Sequence, residues 1–276
     1  TIFTEAVAPD GAGARLHPEQ YLAGDAERAA IVGRAQMEVY LTWRDEGAVS
    51  IDLRELMRRD AGVGEIRGGM GVSELRSPSL AARLARARTP APLHIGILVE
   101  NADPIRSPDE LAWWAERGVV AIGLAWARPG RYAAGNATPR EQDQGLTDLG
   151  RAMVRAMDAA RVVHDVSHLS DRSMNALFEA TDRPVIASHS NCRALLNDPT
   201  NQRHLRDESI REIVRRGGVI GLNLCRNFIA PQPYQKSDPR PSIEQAIAHV
   251  EHICELAGHK RSVGLGSDMD GGFGAG

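Results

Sequence analysis

Cysteine is scarce in this chain of 276 residues, and the three present, Cys192, Cys225 and Cys254, are scattered with no C-x-x-C spacing. That pattern excludes a disulfide scaffold and a zinc ribbon. It suits a reducing compartment, so a cytoplasmic location is the favoured expectation. Basic residues are in deficit as well: 33 Lys and Arg stand against 36 Asp and Glu, a formal net charge of −3. No positive field is left for nucleic acid. No apolar run is long enough for a membrane span, and no signal-peptide pattern opens the chain. An initiating Met is missing too. The sequence starts at Thr1 and finishes in the glycine-rich Gly271-Gly272-Phe273-Gly274-Ala275-Gly276, which reads as a loop cut open. Both ends are therefore expected to be incomplete.

Several catalytic signatures are also lacking. No G-x-G-x-x-G follows the first apolar run and no G-x-x-x-x-G-K-[ST] occurs, so nucleotide-binding α/β folds lose their main support. There is no G-x-S-x-G elbow, and Cys192 has no Cys–His signature around it, which argues against nucleophilic triads. The spacing His249-Val250-Glu251-His252 lacks the H-E-x-x-H order of a zincin.

What is present begins with an ordinary globular composition, 42% hydrophobic and 25% charged. From about residue 18 to 90 the text reads as an N-terminal helical insertion. Glu19 to Glu46 carries Ile31, Ala35, Val39 and Trp43 at helical spacing. Ser50–Arg58 and Pro78–Ala87 read as further helical pieces, separated by a glycine-rich loop at Gly62–Gly71, and Arg83 to Arg88 as a solvated helix face.

After Pro92 short apolar runs alternate with helical patterns. The runs are Leu93–Val99, Val119–Ala125, Arg161–Asp165, Pro184–Ala187, Gly218–Leu224 and Ser262–Gly266. The helices between them are Asp109–Glu116, Asp148–Ala159, Ser170–Ala180, Asp207–Arg216 and Ser242–Ala257. Ser107, Thr147, Ser170, Asp207 and Ser242 read as N-caps, and Gly118, Gly217 and Gly258 as C-terminal stops. Strands that alternate with helices, most of them apolar throughout, indicate a parallel sheet buried on both faces. The fold class expected is α/β in one domain spanning 1–276; a doubly wound sheet and a closed barrel both fit the alternation, and the polar residues at the strand ends favour a TIM-barrel-like (β/α) barrel. Six strands are evident where a closed barrel needs about eight, which fits one missing at each end.

The residues at or just beyond the strand ends are Glu100, Trp126, His168, His189, Asn223 and Asp268. In a (β/α) barrel those ends converge on one face, where active sites lie. Two His with one Glu and one Asp on a common rim form a metal-ligand inventory suited to zinc and its neighbours. A lone His at a strand end is more often structural, and Asp268 alone could form an Asx turn. The same polar choice at the end of strand after strand weakens those bland readings. His249 and His252 read as solvated or packed helix residues, and His164 as facing the helix layer.

At these residues the chain resembles the membrane dipeptidase (renal dipeptidase) family. The resemblance rests on Val163-His164-Asp165-Val166-Ser167-His168-Leu169-Ser170 and on Pro184-Val185-Ile186-Ala187-Ser188-His189-Ser190-Asn191. Gly217-Gly218-Val219-Ile220-Gly221-Leu222-Asn223-Leu224, Val263-Gly264-Leu265-Gly266-Ser267-Asp268-Met269-Asp270-Gly271 and the landmark Gly145-Leu146-Thr147 extend it. It implies a binuclear zinc dipeptidase in which Glu100, His168 and His189 are metal ligands. Arg203 would bind the substrate carboxylate, and Asp268 would handle the proton at the scissile amide. Trp126 and Asn223 complete the substrate-binding set. The chemistry implied is amide hydrolysis by a metal-activated hydroxide, with a carboxylate shuttling the proton.

Two departures stand out. The H-x-D that would supply further ligands occurs nowhere before Glu100, and Leu124-Ala125-Trp126 replaces the family's L-T-H turn. Two other readings stay open: a divergent barrel hydrolase of another small amide or ester, and a non-catalytic relative. The partners expected are a small dipeptide-like molecule and, in a homodimer, a second copy of the chain.

Overall fold

The computed structural model describes residues 26–51, 93–231 and 239–268. Every strand pairing among the described residues is parallel. The strands are β1 (Val49–Ser50), β2 (Leu93–His94), β3 (Ile97–Val99), β4 (Val119–Gly123), β5 (Val163–Asp165), β6 (Val185–Ile186), β7 (Ile220–Leu222) and β8 (Val263–Leu265). The helices are α1 (Ala26–Asp45), α2 (Leu111–Glu116), α3 (Asp148–Ala160), α4 (Asp171–Ala180), α5 (Asp207–Arg215) and α6 (Ile243–Ala257).

β3, β4, β5 and β6 form one parallel sheet in chain order. A parallel bridge between Ala187 and Ile220 carries the pairing on to β7, which pairs with β8. At the other edge β2 pairs with β1, and only Ile95 and Gly96 separate β2 from β3. Ile95 N–H donates to the Ser50 carbonyl at 2.9 Å and Ile97 N–H to the Gly118 carbonyl at 3.1 Å. Residues 93–99 therefore act as one strand that leans first on β1 and then on β4.

All six apolar runs expected to be strands contain strands: Leu93–Val99 is interrupted at 95–96, and the other five are trimmed by one or two residues at one or both ends. Val49–Ser50 corrects the reading of Ser50–Arg58 as helical: Ser50 lies in a seventh parallel unit, and 52–58 fall outside the described residues, as do 62–71 and 78–88.

The helices bury one stripe each, at the spacing that a period of 3.6 requires. α3 buries Met153, Val154 and Met157, α4 Met174 and Leu177, and α5 Ile210 and Ile213. These meet the apolar strands Ile97, Val99, Ile122, Val185 and Ile220 in one continuous core. Thr147 caps α3, Ser170 caps α4, and Ser242 caps α6 in a reciprocal pair with Gln245. Two cap expectations are corrected. Ser107 makes no capping bond, and Asp207 is the first residue inside α5, with Arg206 at the cap position.

Candidate metal centre

Three strands deliver three candidate metal ligands to one point. Glu100 follows β3 directly, His168 sits in the tight turn after β5, and His189 follows β6. Because β3 to β6 are parallel neighbours, their C-terminal ends share one rim, and residues remote in sequence arrive side by side. Glu100 Oε1 lies 3.0 Å from His168 Nε2 and 3.1 Å from His189 Nε2, and the two Nε2 atoms are 3.0 Å apart. All three side chains are about nine-tenths buried.

The outer partners decide which ring nitrogens carry protons. Ser188 Oγ is 2.5 Å from Asp165 Oδ2 and 2.7 Å from His189 Nδ1. A hydroxyl has one proton and a carboxylate accepts only, so Ser188 donates to Asp165 and accepts from His189 Nδ1–H. His168 Nδ1 faces Asn136 Oδ1 at 3.1 Å and donates to it. Both Nε2 atoms are then left as lone pairs aimed at the Glu100 carboxylate. Two lone pairs and a carboxylate oxygen at this spacing repel unless a cation or a shared proton lies between them. Ligand atoms each about 2.1 Å from a tetrahedral ion stand about 3.4 Å apart, close to the triangle observed. Burial pushes the His168 pKa down to about 3, with the Arg203 charge adding to that, so the ring is neutral, as a metal ligand must be. The donor set fits a divalent metal.

Around the triad the expected residues are placed as follows. Arg203 is buried; its guanidinium donates to Ser190 Oγ at 3.0 Å and to the His189 carbonyl at 2.8 Å, and lies over the Phe228 ring. Its Nε is without a partner, and burial lowers its pKa against the opposing pull of Glu100, Asp268 and Asp165. Trp126, half-buried, lies with its ring centroid 5.7 Å from that of His168. Asn223 is fully buried and fully used: its N–H and carbonyl pair with Asn191, its Oδ1 accepts from Cys225 N–H, and its Nδ2 donates to Asp268 Oδ2 at 3.1 Å. Asp268 is thereby tied to the rim, in a left-handed conformation with φ 57°. His168 shares that conformation at φ 67°. A non-glycine residue held there costs free energy that functional sites tend to carry.

His164 points away from the rim and pairs with Asp158 of α3 at 2.7 Å, as expected of a residue facing the helices. His249 is packed: its Nδ1 accepts from Cys192 N–H, and its Nε2 meets the Ile229 carbonyl.

Residues 73–275 match the model of the family described as Membrane dipeptidase (Peptidase family M19), well over half of the chain. The chain belongs to the membrane dipeptidase family. A dipeptidase of Schizosaccharomyces pombe, itself uncharacterised, is 34% identical over 143 residues, covering 52% of this chain and 32% of that protein. A protein of Acinetobacter calcoaceticus is 29% identical over 196 residues, 64% of this chain and 61% of its own length. Among solved structures, a metallopeptidase of Rhodobacter sphaeroides, liganded with a phosphinate mimic of the dipeptide L-Ala-D-Ala, superposes with a TM-score of 0.63 at 26% identity. That match covers 89% of this chain and 63% of that one. The chain thus spans about one to two thirds of the length of the relatives it matches, and the fold is the TIM-barrel-like α/β fold of this family.

Asn136, Asp165 and Ser188 carry the centre's outer contacts and do not stand out in the sequence. Asp165 is the last residue of the three-residue β5, beside His164, Ser188 stands beside the more conspicuous His189, and Asn136 lies in the long loop after β4.

Proposed function

We propose that this chain carries the metal centre of a zinc-dependent dipeptidase that hydrolyses the amide bond of dipeptides. The observation that carries the reading is the triangle of Glu100 Oε1, His168 Nε2 and His189 Nε2 at 3.0–3.1 Å, with both imidazoles held in the ligand tautomer. A carboxylate and two imidazoles without a thiolate suit zinc. A bound divalent metal supplies Lewis-acid polarisation of the amide carbonyl and lowers the pKa of water near it.

The chain's own residues then divide the remaining work. Two of the five N–H donors of Arg203 are engaged by Ser190 and His189, and the others, Nε among them, can grip the terminal carboxylate of a short substrate. Asp268, anchored by Asn223 at 3.1 Å, is the group to accept a proton on the rim and hand it to the leaving amine. Trp126 lies beside His168, with ring centroids 5.7 Å apart. Its bulky apolar face favours a second reading, a related small amide or ester in place of the dipeptide.

Elemental analysis of the whole protein together with turnover of a dipeptide panel, L-Ala-D-Ala included, tests the proposal. Stoichiometric zinc and dipeptide turnover are expected, with both lost in His189→Ala. Full turnover by His189→Ala with metal still bound would overturn the ligand assignment. Metal without turnover of any dipeptide, but with cleavage of other amides or esters, would favour the second reading.

A further inference from the structure

We infer that Asp165, Ser188 and Asn136 are positioning residues that lock His189 and His168 in the Nδ1–H tautomer and so preset the Nε2 lone pairs toward a metal. The inference rests on the metal reading for its purpose, but the lock itself is a property of the chain without metal.

The lock on His189 runs through a single hydroxyl. Asp165 is buried, and its Oδ1 accepts two backbone donors, Ser167 N–H at 3.0 Å and Ser188 N–H at 2.9 Å. Its Oδ2 therefore stays directed at Ser188 Oγ, 2.5 Å away, and takes that hydroxyl's one proton. Ser188 is left with only lone pairs for His189 Nδ1.

Neither partner has room to move. A Cβ placed on Gly221 would stand 2.0 Å from the Ser188 carbonyl oxygen, and one on Gly266 would stand 1.9 Å from it. Ser190 N–H donates to the Gly221 carbonyl at 2.9 Å, and His189 N–H to Ser167 Oγ at 3.1 Å. The Ser188–His189 peptide is clamped between Gly221 in the middle of β7 and Gly266 just after β8, which approach it as closely as a missing side chain permits.

His168 is held from another direction. Asn136 N–H donates to the His168 carbonyl at 2.7 Å while its Oδ1 accepts from Nδ1. The loop after β4 thus sets both the backbone and the ring of a residue that itself sits at positive φ. Outer partners of metal-bound histidines act in this way, fixing tautomer and ring orientation.

The chemistry predicts opposite behaviour for two changes at one relay. Ser188→Ala removes the acceptor, and His189 is free to place its proton on Nε2. Asp165→Asn presents an amide donor to Ser188, so the hydroxyl proton turns toward His189 Nδ1 and drives the ring proton onto Nε2. Ser188→Thr keeps the hydroxyl and restores the lock.

The test is long-range 1H–15N spectroscopy of the metal-free protein with labelled histidine at pH 8, where a free imidazole is neutral. Chelator competition with zinc on the same variants complements it. Wild type should show His189 and His168 as Nδ1–H. Ser188→Ala and Asp165→Asn should move His189 toward Nε2–H and weaken zinc binding about 10- to 100-fold, with Ser188→Thr close to wild type and Asn136→Ala affecting His168 alone. If Asp165→Asn fails to fold, Ser188→Thr against Ser188→Ala decides. A His189 that stays Nδ1–H in Ser188→Ala, or a zinc affinity unchanged there, would overturn the inference. A tautomer shift as expected, with no metal bound by wild type, would keep the lock and sink the metal reading instead.

Discussion

Among the described residues, the buried polar atoms without a hydrogen-bond partner include Arg203 Nε and both ring nitrogens of the adjoining His204. His204 is buried with its ring edge-on to Phe228, 4.8 Å between centroids. Burial, followed by the charge of Arg203 next to it, pushes its pKa down to about 2. The folded chain therefore keeps this ring neutral, while the unfolded chain protonates it near the ordinary value of about 6.5. Between those limits the unfolded state holds more protons, so stability rises with pH through the window and drains away as pH falls from 6.5 toward 2. His204→Leu, which fills the site without a titratable group, is expected to flatten that slope by up to about 1.4 kcal/mol per pH unit. Urea denaturation at a series of pH values reads it; an unchanged slope would mean the ring takes its proton in the folded state. His204 carries no partner pattern in the sequence, because what makes it unusual is the packing around it and not its neighbours along the chain. Glu100, His168 and His189 are legible for the opposite reason. Each is the first or nearly the first polar residue after an apolar run, and the barrel topology gathers such positions without further information.

Elements differ in how much of their setting can be read in advance. Helix α1 forms where the pattern Ile31, Ala35, Val39, Trp43 predicts one, yet Ile31, Val39 and Trp43 are 70%, 48% and 44% exposed. The buried stripe is the neighbouring one, through Ala30 and Met37. Periodicity establishes a helix but cannot choose between two stripes of similar apolarity. β1 shows the complementary limit: two residues are too short for any alternation to register. β7 carries a constraint that no pattern announces. Gly221 has an ordinary strand conformation, but any Cβ there would strike the Ser188 carbonyl. Gly221→Ala is expected to cost about 1–3 kcal/mol through overpacking and, by shifting the Ser188–His189 peptide, to weaken metal binding with it. Gly217 gives the contrast. It ends α5 at φ 75° with nothing within 4 Å of a would-be Cβ, so Gly217→Ala should cost about 1 kcal/mol of backbone strain and leave metal affinity alone. Thermal melts paired with chelator competition separate the two; equal metal affinities would show that the Ser188 clamp does not reach the centre.

For the molecule as a whole, a metal bound at the proposed centre would cross-link three strands. The three proposed ligands follow β3, β5 and β6, which together span the four-stranded parallel wall. Without a cation, the fold brings two lone pairs and a carboxylate oxygen within 3.1 Å of one another, an arrangement that opposes folding. A bound metal reverses the sign of that interaction, and since the unfolded chain keeps no such triangle, binding energy becomes folding energy. Free zinc at a thousand times its dissociation constant should add about 4 kcal/mol to the unfolding free energy, and chelation should remove it. His189→Ala and Glu100→Gln should each lose most of that metal-dependent gain while retaining a cooperative melt, because neither residue belongs to the hydrophobic core that holds the sheet. Equilibrium unfolding of the three proteins at fixed free zinc makes the comparison direct. A wild type whose stability ignores zinc up to millimolar concentration would show that the triangle belongs to the apo fold and binds nothing there.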